Sequence, residues 1–227
     1  MKKLIVSLAL VCAVSWFVAG SVSAMGGPAP QDKYKLEILK VELISGEATT
    51  EAESTSAEGK KVLLVVAPKS FDDTEFTTLK DTLTEAGLVV SVASIAQNSY
   101  GIRGTKAESD LLLKNANADD YDAVIICGGF GVTTYNHNQT ATGLVNKAMK
   151  GEKVIGALDL APIVLINGGA LQRGNKAAVS NNGKRALKGA GINCTGNAVE
   201  VDGKVITASG PDATEEFAKA IVTALEE

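Results

Sequence analysis

The chain of 227 residues is poor in the side chains that most often bind metals, with one histidine and three cysteines. Cys12 lies in an N-terminal apolar run. Two cysteines far apart in sequence, Cys127 and Cys194, do not make a disulfide framework, although an exported chain could form one bridge between them. With a single histidine, His137, and no closely spaced cysteines, the sequence argues against a zinc site. We expect no metal and no cofactor.

An excess of positive charge is also missing. The chain has 22 Lys and Arg against 26 Asp and Glu, which gives a formal net charge of −4. Without a basic stripe it offers no footprint for nucleic acid or for anionic lipid. We expect a small molecule as the partner, and the sequence does not identify which one.

One long apolar run, from Leu4 to Val18, follows Lys2 and Lys3 and precedes a small-x-small cleavage site that ends at Ala24. A membrane helix is the alternative, but Ser and Gly dilute the run and the cleavage site follows it directly. We predict an export signal over residues 1–24 and a mature chain that starts near Met25 and carries a net charge of −6. The expected location is periplasmic or secreted, with no membrane contact after cleavage.

Residues 25–59 are predicted to be an N-terminal extension and linker. Tyr34 to Ile44 alternates apolar and charged residues with a break in phase, which fits either an added edge strand with a bulge or a short helix. Residues 48–58 are rich in Thr, Glu, Ser and Ala without periodicity, as is typical of a linker.

From Lys60 onward the chain alternates between strand and helix patterns. The predicted strands are Val62–Ala67, Val89–Ala93, Ala123–Cys127, Val154–Ala157, Val199–Val201 and Val205–Thr207, and the predicted helices follow Asp72 or Asp73, cover Thr142–Lys150 and start at Pro211-Asp212. Asp202-Gly203 is the pair typical of a type I′ hairpin turn. Residues 60–227 are thus predicted as one doubly wound α/β domain, with a mostly parallel central sheet and helices on both faces, a flavodoxin-like sandwich.

The stretch from Val154 to Leu165 has the pattern of a nucleophile elbow. A short buried strand, a turn of small residues and an apolar helix follow one another, and such a turn pushes one side chain into a pocket at the carboxyl edge of the sheet. The usual residue at that position is Ser or Cys, and here it is Asp159. The sequence predicts the architecture of an active site without its nucleophile.

Four segments together resemble the ThiJ/PfpI (DJ-one) family of the class I glutamine-amidotransferase-like superfamily. They are Phe71–Glu75, Asp122–Gly129, Gly156–Pro162 and Val205–Pro211. The resemblance covers residues 60–227 and rests on the order and spacing of all four segments. It implies the α/β fold described above and, as an assembly, a homodimer.

The resemblance also implies a site. Glu75 matches an acid that reaches from the first helix to the elbow residue. Gly128 and Gly129 match a turn whose backbone N–H groups face the same pocket, and the amide of Leu160 is a second candidate donor in an oxyanion-hole arrangement. Asp159 falls on the family's nucleophilic cysteine, and Leu160 falls where many hydrolytic members carry histidine. These departures argue against cysteine-dependent peptidase, glyoxalase, deglycase or amidotransferase activity.

Two carboxylic acids in one pocket split their titrations, because like charges within hydrogen-bond range are costly. We expect Glu75 to be protonated and to donate to an ionised Asp159, which would copy a cysteine oxidised to its sulfinate. Export supplies a reason for the exchange, since an exposed thiol of low pKa is easily oxidised outside the cytoplasm.

Three further residues are candidates for the rim of this pocket. Cys127 ends a buried strand, where cysteine most often behaves as a small hydrophobe. His137 lies in a polar loop and Arg103 beside two glycines, where Arg103 would present a cation to an anionic ligand. For both, the alternative is an ordinary solvated surface side chain.

Two functions stay open. The first is a non-catalytic binding or stress-associated domain, and the second is a cysteine-independent, hydrolase- or lyase-like enzyme that uses Glu75 and Asp159 as acid and base. The first class includes an active site that has lost its catalytic activity. Asp can stay at the elbow of such a site because it tolerates the strained backbone better than most residues.

Overall fold

The computed structural model describes residues 57–227. The predictions for the export signal, for the Tyr34–Ile44 segment and for residues up to 56 of the linker lie outside these residues. The strands are β1 (Lys61–Val65), β2 (Lys69–Phe71), β3 (Val89–Ser94), β4 (Asn98–Gly101), β5 (Lys106–Glu108), β6 (Leu111–Leu112), β7 (Ala123–Ile126), β8 (Val154–Leu158), β9 (Lys176–Ala177), β10 (Asn193–Cys194), β11 (Val199–Asp202) and β12 (Val205–Ala208). The α-helices are α1 (Asp73–Glu85), α2 (Gln139–Lys150), α3 (Pro162–Asn167), α4 (Lys184–Gly189) and α5 (Thr214–Glu226).

A seven-stranded sheet in the order β11-β12-β8-β7-β1-β3-β6 forms the centre of the domain. Every pairing in it is parallel except that of β11 with β12. All residues of β7 and β8 are buried, as expected for strands covered on both faces. The predicted doubly wound α/β fold is confirmed.

Helices cover both faces of this sheet. Helix α1 packs against α5, which also contacts β8 and β12, whereas α2 packs against α3 and contacts β7 and β8. The apolar stripe of α1 supplies Phe76, Leu79 and Leu83 to the core, and that of α5 supplies Phe217 and Ile221. Their spacing of three or four residues is that of an amphipathic helix with one face on the core.

The strand order reverses at β1. The chain runs outward from β1 through β3 to β6 and then returns to β7 on the other side of β1. At such a switch point the connections leave the carboxyl ends of neighbouring strands in opposite directions and open a crevice. The segments after β1, β7 and β8 therefore meet at this edge.

Two helices start at side-chain caps. Asp72 accepts a hydrogen bond from the amide of Glu75 at 3.0 Å and caps α1. Asn138 accepts one from the amide of Ala141 at 3.0 Å, so α2 begins at Gln139, three residues before the predicted Thr142. The pattern of apolar residues predicts where the helix lies, whereas the Asn138 cap determines where its first turn begins.

The hairpin of β11 and β12 is where predicted, but its turn is not of type I′. Asp202 pairs with Val205, so the turn residues are Gly203 and Lys204 rather than Asp202 and Gly203. Gly203 has a φ of 62° and Lys204 has no positive φ. A type I′ turn needs positive φ at both positions, and this pattern has the φ signs of a type II′ turn.

Two small sheets were not predicted from the sequence. Strands β2, β4 and β5 form one, and β9 and β10 form the other. Their strands have two to four residues of mixed polarity, too few to show an alternation. No helix between residues 57 and 227 is long and apolar enough to cross a membrane.

Candidate functional site at the elbow

Asp159 lies on a strained turn between β8 and α3. Its φ is 54°, in the left-handed region that side chains other than glycine rarely adopt. The Asp159 amide donates to the carbonyl of Ala208 at 3.0 Å, and its carbonyl accepts the amide of Ser180 at 3.3 Å. Hydrogen bonds from both sides thus hold the turn, and the Asp159 side chain is half-buried at the carboxyl edge of the sheet.

Glu75 reaches the same edge from the first turn of α1. Its side chain is 0% exposed. Oε2 accepts the amide of Gly128 at 2.8 Å, a contact between residues 53 positions apart. The other oxygen, Oε1, is buried and accepts no hydrogen bond. A buried polar atom without a partner is costly, and a proton on Oε1 would itself lack an acceptor among the described residues.

Gly128 is the point at which the two acids meet. A Cβ atom there would lie 2.5 Å from Oε2 of Glu75, 2.7 Å from Cβ of Asp159 and 2.7 Å from the carbonyl oxygen of Leu158. Only a residue without a side chain fits between them. The next amide along the chain, that of Gly129, donates to Oδ2 of Asp159 at 3.1 Å.

The two adjacent amides of this turn therefore serve the two acids, one each. Gly129 has a φ of 90°, and a Cβ there would collide with the backbone of Phe71 and Asp72. The sequence predicts that both amides face the pocket, and in the structure both donate to carboxyl groups of the protein itself. They are not left free to stabilise an oxyanion.

Burial raises the pKa of Glu75 well above its ordinary value, and the charges of Asp159 and Asp72 add to the effect. The hydrogen bond from the Gly128 amide acts in the opposite direction but is outweighed. This direction is the one expected if Glu75 keeps its proton beside an ionised Asp159. The predicted donation of that proton to Asp159 is not seen, because Oε1 has no hydrogen-bond partner and Oε2 accepts only the Gly128 amide.

Leu160 contributes its amide rather than its side chain, which is buried. Among residues 57–227 no acceptor receives a hydrogen bond from this amide. It is the one uncommitted donor among the three amides that the sequence singles out.

Cys127 directly precedes the Gly128-Gly129 turn but belongs to the core. Its side chain is 0% exposed, and its thiol forms no disulfide. Burial raises the pKa of the Cys127 thiol well above its ordinary value, and the charge of Glu75 raises it further. A buried thiol with a raised pKa is a poor nucleophile. Cys194 is also free and is half-buried.

Neither of the other predicted rim residues contacts the acids. His137 is exposed in the loop before α2. Arg103 is exposed, and its Nη1 donates to Oγ1 of Thr74 at 3.2 Å, while its amide donates to Asp73. Arg103 therefore lies beside the first turn of α1, the turn that carries Glu75, but it does not contact the Glu75 carboxyl group.

Sequence reasoning missed two residues that organise this site. Asp73 accepts the amides of Arg103 and Thr105, both at 2.8 Å, and ties β4–β5 to the start of α1. Ser180 holds the elbow carbonyl, and its own Oγ is buried without a hydrogen-bond partner. Both contacts join residues far apart in sequence, so no local pattern announces them.

The described residues hold no group of three or more His, Cys, Asp or Glu side chains arranged to bind a metal. Two surface cavities, of about 280 and 370 Å³, lie at the opposite edge of the sheet, where Glu152, Lys153 and Lys204 line both. These cavities share no residue with the elbow site.

A doubly wound sheet, a switch-point crevice and an elbow turn opposite a buried acid define an α/β protein with a candidate site at the carboxyl edge of its sheet. Within it, the model of the DJ-1/PfpI family matches residues 60–224, and the chain belongs to that family.

The chain is also similar to proteins of known sequence and of known structure. An uncharacterised protein of Methanocaldococcus jannaschii is 36% identical over 170 residues, which cover 73% of this chain and 82% of that protein. The structure of a ThiJ/PfpI domain protein from Brachyspira murdochii has a TM-score of 0.71 at 24% identity, and the match covers 74% of this chain and 97% of that protein. DJ-1beta of Drosophila melanogaster has a TM-score of 0.68 at 27% identity, over 74% and 90% of the two chains.

Proposed function

We propose that this DJ-1/PfpI domain binds a small molecule at the elbow without covalent catalysis, as a binding or stress-associated protein. The observation that carries the proposal is the Asp159 carboxylate, which holds the elbow position and accepts the Gly129 amide at 3.1 Å. A carboxylate in that place supplies no thiol, and the nearby Cys127 is fully buried. The site keeps the shape of an active site and has exchanged its nucleophile for an acceptor.

A turnover assay tests this proposal. The protein is incubated with a dicarbonyl such as methylglyoxal and with a chromogenic peptide, since the resemblance implies glyoxalase and peptidase activities for members with a cysteine. We expect no rate above that of a buffer control, before or after alkylation of thiols. A rate that alkylation abolishes would contradict the proposal, because it would require Cys127 or Cys194.

The alternative is an enzyme that uses the two carboxyl groups as acid and base. The raised pKa of Glu75 beside Asp159 favours this alternative, because a protonated acid next to an ionised one is the arrangement that general acid–base catalysis uses. Turnover that survives alkylation but disappears in both Glu75→Gln and Asp159→Asn would establish it. Turnover that neither substitution affects would exclude the elbow as its source.

We also propose that the chain is exported and that the domain forms a homodimer. The apolar run before Ala24 supports export. Three exposed apolar side chains, Tyr100, Ile102 and Phe130, lie on segments that flank β2 and support an interface between copies. Sedimentation equilibrium of the purified protein measures the oligomeric state directly.

A further inference from the structure

The larger of the two cavities at the amino edge of the sheet, of about 370 Å³, is here called the amino-edge cavity. Sites for small molecules commonly measure about 300–1,000 Å³. Its wall is partly apolar and partly charged, and consists of Met149, Glu152, Lys153, Ile155, Lys204 and Val205. Met149 and Val205 are only half-buried by the protein itself. A wall of this composition is typical of a site for an amphipathic small molecule.

Backbone hydrogen bonds fix the wall of this cavity. Strands β8 and β12 pair in parallel with Ile155 opposite Val205, and the Ile155 amide donates to the Lys204 carbonyl at 2.8 Å. The turn after α2 is tied back to the helix, because the Lys153 amide donates to the Ala148 carbonyl at 3.0 Å. Each of the two lysines therefore stands directly before a strand of the sheet, in a position that does not depend on its side chain.

The ammonium groups of these two lysines are not engaged by the protein. Among residues 57–227 neither Lys153 nor Lys204 forms an ion pair, even with Glu152 in the same wall, and neither ammonium group donates a hydrogen bond. The hydrogen bond from Lys147 is the main cause that lowers the pKa of Asp119, and Lys153 adds only its charge to that effect. Both ammonium groups are thus available to a ligand.

The charge of the wall favours an anion. Two lysines against one glutamate leave the lining of the amino-edge cavity with a net charge of +1. The neighbouring cavity of about 280 Å³ adds Lys60 but also Asp122 and Glu227, so its cations and acids balance. The larger cavity is therefore the one that selects for negative charge.

We infer that the amino-edge cavity binds a small amphipathic anion, whose carboxylate accepts hydrogen bonds from Lys153 and Lys204 and whose apolar part packs against the apolar side chains of the wall. Hydrogen bonds between ammonium and carboxylate groups are charge-assisted and about twice as strong as neutral ones. Burial of the apolar part contributes in proportion to the area that it removes from water. This site is separate from the elbow and does not depend on the function proposed there.

Three probes test the inference: hexanoate, which has both the charge and the chain, acetate, which has the charge alone, and hexanol, which has the chain alone. Each is titrated into the purified protein labelled with nitrogen-15, at pH 7 and at constant ionic strength. The readout is the chemical shift of the Lys153 and Ile155 amides, which lie in the wall. We expect saturable shifts at millimolar hexanoate and a Kd at least about tenfold weaker for acetate and for hexanol.

Variants separate this cavity from general attraction of an anion to surface lysines. Lys153→Gln combined with Lys204→Gln should weaken the Kd for hexanoate by about tenfold or more, because both charged donors are lost. The matched control combines Lys80→Gln with Lys188→Gln. It makes the same change in net charge at two exposed positions outside the cavity and should leave the Kd unchanged within about twofold.

Every other outcome overturns the inference. Equal affinity for hexanol would show that the charge is not recognised, and equal affinity for acetate would show that the apolar wall is not used. Equal weakening in the control variant would place hexanoate on the general surface. Shifts at the Gly128 and Gly129 amides without shifts at Lys153 and Ile155 would place it at the elbow, which would refute this inference and support the function proposed for that site. The absence of saturable shifts would refute a carboxylate site at the amino edge.

Discussion

The amide of Gly128 donates to Glu75 at 2.8 Å, although the two residues are 53 positions apart in sequence. This bond fixes the buried acid of α1 at the carboxyl end of β7, opposite the elbow. It leaves Oε1 as the atom of Glu75 that can carry a proton, and the first prediction concerns that proton.

Glu75 should titrate well above the ordinary range of a glutamate. Burial is the main cause and the charge of Asp159 the next, so Asp159→Asn should lower the pKa of Glu75 without restoring its ordinary value. Carbon-13 NMR titration of the side-chain carboxyl groups measures this in the protein and in the variant. A Glu75 curve near pKa 4.5 in the unsubstituted protein would show that the acid is neither dry nor coupled to Asp159.

The stability contributed by Glu75 should fall as pH rises. Its pKa is raised in the folded state, so above about pH 4.5 the unfolded chain has lost a proton that the folded chain keeps, and unfolding releases it. The free energy of unfolding then falls with pH until the folded-state pKa is passed, by at most about 1.4 kcal/mol per pH unit. Urea unfolding from pH 4 to 8 should show a flatter profile in Glu75→Gln than in the unsubstituted protein.

Asp73 provides the matched comparison, with the opposite sign. Burial acts to raise its pKa, but the hydrogen bonds from Arg103 and Thr105 outweigh burial and lower the pKa below 3.8. Its contribution is therefore present above that pH and is lost on acidification. The unsubstituted protein should lose stability below pH 4 as Asp73 takes up a proton, and Asp73→Asn should not show this loss. Between pH 5 and 8 the substitution should leave the slope of the free energy of unfolding against pH unchanged. Identical profiles for both variants would contradict these assignments.

Gly128→Ala should destabilise the protein by about 2 to 3 kcal/mol, because the new methyl group meets the Leu158 carbonyl at 2.7 Å and both acids. The control is Gly143→Ala in α2, where the methyl group meets nothing within 4 Å. In a helix interior this second change should stabilise by about 0.5–1 kcal/mol. Thermal and urea unfolding of the two variants measures both changes. Unchanged stability of Gly128→Ala would contradict the close approach of the two acids at this residue.

Asp159→Cys should create a reactive thiol with little hydrolytic activity. The Gly129 amide that now donates to Asp159 would face the thiolate, whereas Leu160 supplies no imidazole beside it. Reaction with a chromogenic disulfide is followed in a background with Cys12→Ser and Cys194→Ser, so that Cys127 is the one cysteine left besides the new one. We expect one fast-reacting thiol in the variant and none in the background, because Cys127 is fully buried. A fast-reacting thiol in the background protein, which keeps Asp159, would show that Cys127 is accessible at the surface.

The last prediction concerns processing of the chain. Mass spectrometry of protein recovered from its native envelope should show an N terminus near Met25, since Ala24 ends a small-x-small cleavage site. Recovery from the cytoplasm with Met1 intact would refute the export signal.

The elbow could be predicted from sequence because its signal is local. Strand, turn and helix follow within a dozen residues of Val154, and Asp159 adopts the positive φ that such a turn requires. The partners of the elbow could not be found in this way. Ser180 and Ala208 hold Asp159 through backbone groups, which are the same in every residue and leave no trace in the sequence.

The start of α1 shows the same division. Asp72 or Asp73 could be proposed as the cap from the pattern, but the pattern could not assign the second acid. The structure gives the cap to Asp72, while Asp73 gathers amides from Arg103 and Thr105. That second role depends on β4 and β5, whose few residues of mixed polarity show no strand pattern.

The bond from the Asp159 amide to the Ala208 carbonyl has a consequence for how the protein is made. Ribosomes deliver β8 and the elbow well before β12, the strand that carries this carbonyl and that pairs with β8 in parallel. Until β12 arrives, the strained turn lacks one of its backbone supports and β8 is an open sheet edge. A growing chain thus carries every acid of the site long before it can hold them in place, and the pocket is among the last parts of the domain to be completed.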